Sequence, residues 1–264
     1  MRLEDWATAL QAFTEVVQQE PEEGDAWANV AAVHMHNRNP GEAYPALNES
    51  LKLNRNNWRV WVGKLHTCMD LNKYDEAIQA SLVLMDLKAK RNQSEGIPAL
   101  EERVVRALVG ASVSKYNEAM KSGDTPAIDS SKRTLVRMRE LLSKLQSSMK
   151  EPWLYEASAF FNECIGQADQ AIDDLMREYR SLISFKSWET DRSMLERVCT
   201  VITRMLAMHE EEGNVEALKK FKFLVNGIIR KVKAAHFDPA QLPTLRLEEL
   251  DEVIKTIDAK IGTT

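Results

Sequence analysis

Apolar residues along this 264-residue chain recur three and four positions apart, which places them on one side of a helix, and no stretch shows the period-two alternation of a half-buried strand. Leu100, Val104, Ala107, Leu108, Ala111 and Val113 form one such stripe. Leu135, Met138, Leu141, Leu142 and Leu145 form the next, and Leu247, Leu250, Val253, Ile254 and Ile257 the last. The pattern predicts helices over 4–19, 25–37, 41–53, 58–71, 74–89, 99–122, 126–149, 188–212 and 215–235, a pair around Tyr155 and Ala171, and a terminal amphipathic helix. Turn residues sit between them: Pro21, the run Asn54 to Asn57, Gly123 with Pro126, Pro152, Gly166, and Gly213 with Asn214. Two stretches read as connectors, 90–98 and the prolyl segment from His236 to Pro243.

The apolar pattern repeats at a longer period. Ala9, Ala43 and Ala77 stand 34 residues apart, and the same shift lays Trp27 on Trp61 and carries Trp6 through Pro40 to Tyr74. It also aligns Leu10, Tyr44 and Ile78, then Phe13, Leu47 and Ser81, then Val17, Leu51 and Met85. A large residue followed sixteen positions later by a small one, at a period of 34, is the mark of the tetratricopeptide helix-turn-helix repeat. The bulky residue fills the gap between paired helices, and the alanine sits where two backbones come too close for more than a methyl group. Tyr155 and Ala171 repeat the sixteen-residue spacing, with Ser158 and Ala159 at small positions. The fold expected is therefore all-α, a tetratricopeptide-type helical-repeat superhelix or α-solenoid: regular repeats over 1–89, a linker at 90–98, and irregular helical hairpins over 99–264 ending in a capping helix. The first repeat lacks its first helix, so Trp6, Leu10, Phe13 and Val17 are expected to need cover from an upstream part of the same polypeptide.

Composition narrows the class. The content is 44% hydrophobic and 28% charged with a net charge of −5, ordinary for a chain with a substantial core. The charge alternates in blocks, net −5 over 1–88, +4 over 99–150, −7 over 151–213 and +5 over 214–235, as solvated helix faces or as faces that select a partner by charge. No run of about 18 apolar residues reads as a membrane span. Cys68, Cys164 and Cys199 are scattered without pair or metal spacing, which suits a reducing compartment. An intracellular location is expected.

Candidate chemistry is thin. His34 and His36 point roughly 200° apart on a helix and cannot share a metal, and His66 with Cys68 has the same defect. No glycine-rich phosphate loop and no Gly-x-Ser-x-Gly turn is present, and the chain holds only 10 glycines. No catalytic residue, cofactor or metal site is assigned. Lys219, Lys220, Lys222, Arg230, Lys231 and Lys233 give the 215–235 helix a basic outer face, which could touch phosphate without sequence preference, although an acidic chain without a recognition motif argues against nucleic acid. The 11 methionines fall mostly on apolar faces and read as packing between mismatched helices.

The segments Ala26-Trp27-Ala28-Asn29, Trp58-Arg59-Val60-Trp61, Tyr74-Asp75-Glu76-Ala77-Ile78 and Leu84-Met85-Asp86-Leu87 resemble the C-terminal part of the tetratricopeptide repeat protein 27 family, which includes the yeast protein named for essential maintenance of the cell wall. The resemblance implies a non-catalytic adaptor or assembly chaperone for large complexes such as spliceosomal particles, with a cytoplasmic location that extends to the nucleus. It is also similar, in part, to repeat domains that clamp the C-terminal carboxylate of heat-shock chaperones: Asn29 matches the clamp asparagine and Arg59 stands at the lysine position, but Gly63 replaces the arginine. The binding surface expected is the concave one built by first helices, with Asn29, Val33, His36, Arg59, Lys64 and His66 exposed on or near it. Packing between repeats is assigned to Ala9, Ala43, Ala77, Trp27, Trp61, Tyr74 and Ala171. Partners are other proteins, through extended segments or helices. Alternatives are a structural segment bracing a larger repeat protein, or a weak RNA-binding repeat.

Overall fold

The computed structural model describes residues 3–90, 96–213, 215–235 and 247–262, and these are helical with no strand among them. Twelve helices are seen among the described residues: α1 Leu3–Gln19, α2 Gly24–His36, α3 Pro40–Leu53, α4 Trp58–Asp70, α5 Tyr74–Lys90, α6 Glu102–Ser122, α7 Thr125–Ser148, α8 Pro152–Cys164, α9 Ala168–Leu182, α10 Arg192–Glu212, α11 Val215–Ala235 and α12 Leu247–Gly262. The expected prolyl connector and most of the 90–98 linker lie outside the described residues. The chain divides into two compact units, Met1–Ser147 and Ser148–Thr264.

The repeat is visible as recurring bonds. At the turn between paired helices, the N–H of Asn39 reaches the carbonyl of His34 (2.9 Å), that of Lys73 the carbonyl of Cys68 (2.8 Å), and that of Gln167 the carbonyl of Asn162 (2.8 Å). The residue just before each donor is left-handed: Arg38 at φ 54°, Asn72 at φ 55° and Gly166 at φ 73°. This is the six-to-one bond of a Schellman stop, which ends the first helix and reverses the chain. The indole N–H of Trp27 donates to the carbonyl of Pro21 (2.9 Å) and that of Trp61 to the carbonyl of Arg55 (2.8 Å), so both tryptophans pin the turn that precedes their own helix.

In the first unit α1 packs on α2, α2 on α3, α3 on α4, α4 on α5 and α5 on α6. Ala43 and Ala77 are 0% exposed, as the close approach of paired helices requires. Trp27, Trp61, Tyr74 and Ala9 are half-buried. The expectation that α1 would leave its apolar stripe bare is corrected in part: Val17 is buried and Leu10 and Phe13 pack against the core of α2 and α3. Trp6 stacks on His36 at 4.1 Å between ring centroids.

In the second unit α8 and α9 form a further repeat pair, with Ala171 at 0% exposure, and α10, α11 and α12 build a shared core with α9. The helix expected over 188–212 begins at Arg192 instead. Asp191 caps it by accepting from the Met194 N–H at 3.1 Å, so Trp188 lies ahead of the helix as a buried turn residue, 5% exposed.

Candidate functional site

Because α2 and α4 are first helices of successive repeats, they lie side by side, and the space between them is set by one residue. A Cβ on Gly63 would stand 3.1 Å from the Met35 methyl and 3.3 Å from a Leu47 methyl, so glycine there lets α4 settle against α2 and α3. Beside that contact runs a groove of about 410 Å³ lined by Asp25, Asn29 and Met35 of α2, Leu47 of α3, and Asn57, Arg59 and Val60 at the start of α4. Its floor is apolar and its rim polar. Asn57 caps α4 by accepting from the Arg59 N–H at 3.2 Å, which fixes the first turn from which the Arg59 side chain departs. The guanidinium lies 4.8 Å from the centroid of the Trp58 ring and is exposed.

Of the six residues expected on this surface, the structure brings Asn29 and Arg59 together in the groove. His66 is exposed two turns along α4 from Arg59, on the same side. His36 is exposed, with its ring engaged by Trp6. Two expectations are corrected. Val33 is 1% exposed, since four residues beyond Asn29 the helix has turned by about 40° and three residues beyond Val30 its side chain joins the inward face. Lys64 points away from the groove: its ammonium donates to Asn48 Oδ1 (2.8 Å), lies 3.7 Å from Glu76, and sits between the Tyr44 and Trp61 rings at 5.9 and 5.6 Å. It ties α3 to α4 and α5 beside a separate, wide depression that Tyr44, Asn48, Arg55 and Trp61 also line.

Two polar clusters escaped the sequence reading. At the junction of α5, α6 and α7, Asp75 accepts from Lys115 Nζ and from Thr134 Oγ1, each at 2.5 Å, beside a hollow of about 350 Å³. Partial burial opposes ionisation of Asp75, but those two bonds outweigh it and hold the carboxyl below its ordinary range. The residues are 40 and 59 positions from Asp75, and nothing local in the sequence marks them as its partners.

The second cluster lies in the second unit. Asp174 on α9 is buried and accepts from Ser158 Oγ (2.5 Å) and Asn162 Nδ2 (2.9 Å) of α8. One turn on, Glu178 is 2% exposed, takes a long bond of 3.4 Å from Arg197 on α10, and has its second oxygen buried without a hydrogen-bond partner. Burial, reinforced by the nearby Glu156 carboxylate and opposed by Arg197 and Arg204, pushes the Glu178 carboxyl up to about 7. Ser158 stands at a small position of the repeat, and a hydroxyl there is the sequence signal that could have exposed a polar interior. Among the described residues no cluster of three or more His, Cys, Asp or Glu side chains is placed to hold a metal ion. No described helix is long and apolar enough to cross a membrane. Cys68 is buried, and burial, with the Glu76 charge, pushes its thiol up to about 11, so it packs as an apolar group.

No protein-family model matches the chain. A TPR repeat-containing protein of Schizosaccharomyces pombe is 22% identical over 242 residues, which is 88% of this chain and 28% of that protein. A tetratricopeptide repeat protein 27 homolog of Dictyostelium discoideum is 29% identical over 186 residues, 70% of this chain and 20% of its own length. The chain thus spans less than a third of these curated relatives. Among solved structures, that of Naa15/Naa10 bound to HypK-THB matches 98% of this chain and 32% of its own with a TM-score of 0.55 at 15% identity, a likeness of fold alone. The recurring turn bonds and the buried alanines make the fold a tetratricopeptide-type helical repeat, and in sequence the chain is similar to the tetratricopeptide repeat proteins named above.

Proposed function

We propose that the chain is a non-catalytic docking scaffold in which the groove between α2 and α4 receives an extended segment or helix of a client protein. The observation that carries this reading is the groove itself: an apolar floor of Met35, Leu47 and Val60, with Asn29 and Arg59 on the rim able to bond the polar groups of a bound chain. Arg59 suits a client carboxylate, which its planar fork can take with two parallel bonds. A fold of this type in the Naa15/Naa10 assembly, itself bound to HypK-THB, is a precedent for such an array working inside a multiprotein complex. The resemblance to the tetratricopeptide repeat protein 27 family directs the search for the client to large assemblies such as spliceosomal particles, in cytoplasm and nucleus.

The test is quantitative affinity capture with Arg59→Glu, compared with wild type and with Lys52→Glu outside the groove. Charge reversal at the rim is expected to lower recovery of the client by about tenfold or more, the scale of a lost buried ionic contact, while Lys52→Glu leaves it unchanged. Equal recovery of every partner by all three proteins would remove the groove from consideration. Recovery with no subunit of a large assembly would remove the adaptor role.

A further inference from the structure

We propose that the outward face of α11 is a second docking surface, independent of the α2/α4 groove, and that its occupant is an acidic amphipathic helix of another protein. Phe223 projects from this helix with 79% of its surface exposed, the most exposed large hydrophobic side chain among the described residues. A lone exposed apolar residue needs no explanation, but this one has a patterned setting. Lys220, Gly227 and Arg230 stand three, four and seven residues from it, which puts them on the same face of the helix. No atom lies within 4 Å of where a Cβ on Gly227 would stand, so another backbone can approach closely beside the ring. Among the described residues Lys220, Arg230 and Lys231 form no ion pair, whereas Lys219 is bound to Glu216 at 2.8 Å.

The chemistry of the occupant follows from how α11 already binds a helix on its other side. There α12, with five acidic and two basic residues, lays Leu250, Val253 and Ile257 into the core shared with α11, and Lys222 at the edge of the contact donates to Asp258. The apolar seam joins the helices and a cation of α11 pairs with a carboxylate of the acidic helix. The outward face repeats that plan with Phe223 as the apolar anchor and Lys220, Arg230 and Lys231 as the cations, all four exposed among the described residues. An aromatic anchor with Lys220, Arg230 and Lys231 along the same side of the helix matches a helix that has an apolar stripe flanked by Asp and Glu. RNA fits less well, because one ring offers a single stacking platform where strand binding uses several.

Site-specific photocrosslinking tests this. Phe223→p-benzoylphenylalanine is introduced into the full chain in cells, light is applied, and the adduct is digested and sequenced. The expected adduct maps to a protein segment of net negative charge whose apolar residues recur at helical spacing. Its yield is expected to fall by at least about tenfold in a Lys220→Glu, Arg230→Glu background, as for the loss of anchoring contacts at an interface centre, and to fall with added salt. Both substituted side chains are exposed, and an unchanged circular dichroism melt confirms the fold. The proposal is overturned if the adduct is nucleic acid, lipid, a second copy of this chain or a segment without acidic character, if the charge reversals leave its yield intact, or if no adduct forms.

Discussion

Glu178→Gln offers the sharpest physical test of the second unit. The carboxyl is 2% exposed, has one long bond to Arg197 and carries an oxygen without a partner, so the interior favours its neutral form. Its affinity for a proton moves from an ordinary 4.5 to about 7 on folding, and at about 1.4 kcal/mol per pH unit this amounts to about 3 kcal/mol. The sign follows from proton binding. Between these two values the native state holds a proton that the unfolded chain has released, so stability is fully present below pH 4.5 and is lost as pH rises through about 7. Glutamine has nearly the same shape and stays neutral at every pH. The variant should therefore lie within about 1 kcal/mol of wild type near pH 5 and exceed it by up to about 3 kcal/mol near pH 8, less whatever the weakened Arg197 contact contributes. Urea denaturation followed by circular dichroism at about pH 5, 6, 7 and 8 reads the difference directly. With a slope of roughly 2–3 kcal/mol per molar urea, the midpoint at about pH 8 should rise by about 1 M. A difference between variant and wild type that stays constant across this range would refute the reasoning, because it would mean that Glu178 is ionised in the folded protein at every pH tested.

Other outcomes follow from the repeat geometry. Ala77→Leu inserts three carbons where exposure is 0% and should cost about 1–3 kcal/mol by overpacking, whereas Ala12→Leu on the exposed side of α1 should change stability by less than about 0.5 kcal/mol; equal denaturation midpoints for the two would contradict the close approach of α4 and α5. Gly166→Ala meets no neighbour within 4 Å but must hold φ near 73°, so its melting temperature should fall by the equivalent of about 1–2 kcal/mol from backbone strain alone. Trp61→Phe keeps most of the apolar surface and deletes the 2.8 Å bond to the Arg55 carbonyl, for an expected loss of about 0.5–1.5 kcal/mol in chemical denaturation; Trp27→Phe, with its bond to Pro21, should behave alike. Leu47→Ala removes a side chain that is 1% exposed and also lines the groove, and calorimetry should show a loss of about 2–5 kcal/mol.

The periodic part of the molecule was legible because its packing rule is local. A bulky residue, a small one sixteen positions later and a turn between them recur at the same offsets, so Trp27 with Ala43, Trp61 with Ala77 and Tyr155 with Ala171 could each be paired before any coordinates were known, and the helix ends followed within a few residues. Asn29 and Arg59 could be placed on one surface because both lie on first helices of successive repeats. Val33 and Lys64 failed because exposure at a given position depends on which neighbour covers it: Val33 turns into the packed face, and Lys64 finds Asn48 sixteen residues away on α3.

The chain's own pattern determined that it would be helical, that its helices would pair at 34-residue intervals, and that tryptophan and alanine would hold the pairs, since those properties rest on residues near one another along the chain. Only the tertiary structure decided that Lys115 and Thr134 would meet Asp75, that Glu178 would be enclosed with an unpaired oxygen, and that Phe223 would stay in solvent while its neighbours Phe221 and Val225 were buried. Those outcomes depend on how separate helices are turned against each other, and the geometry of a helix pair is set by all the side chains at the contact rather than by the order of residues within either helix.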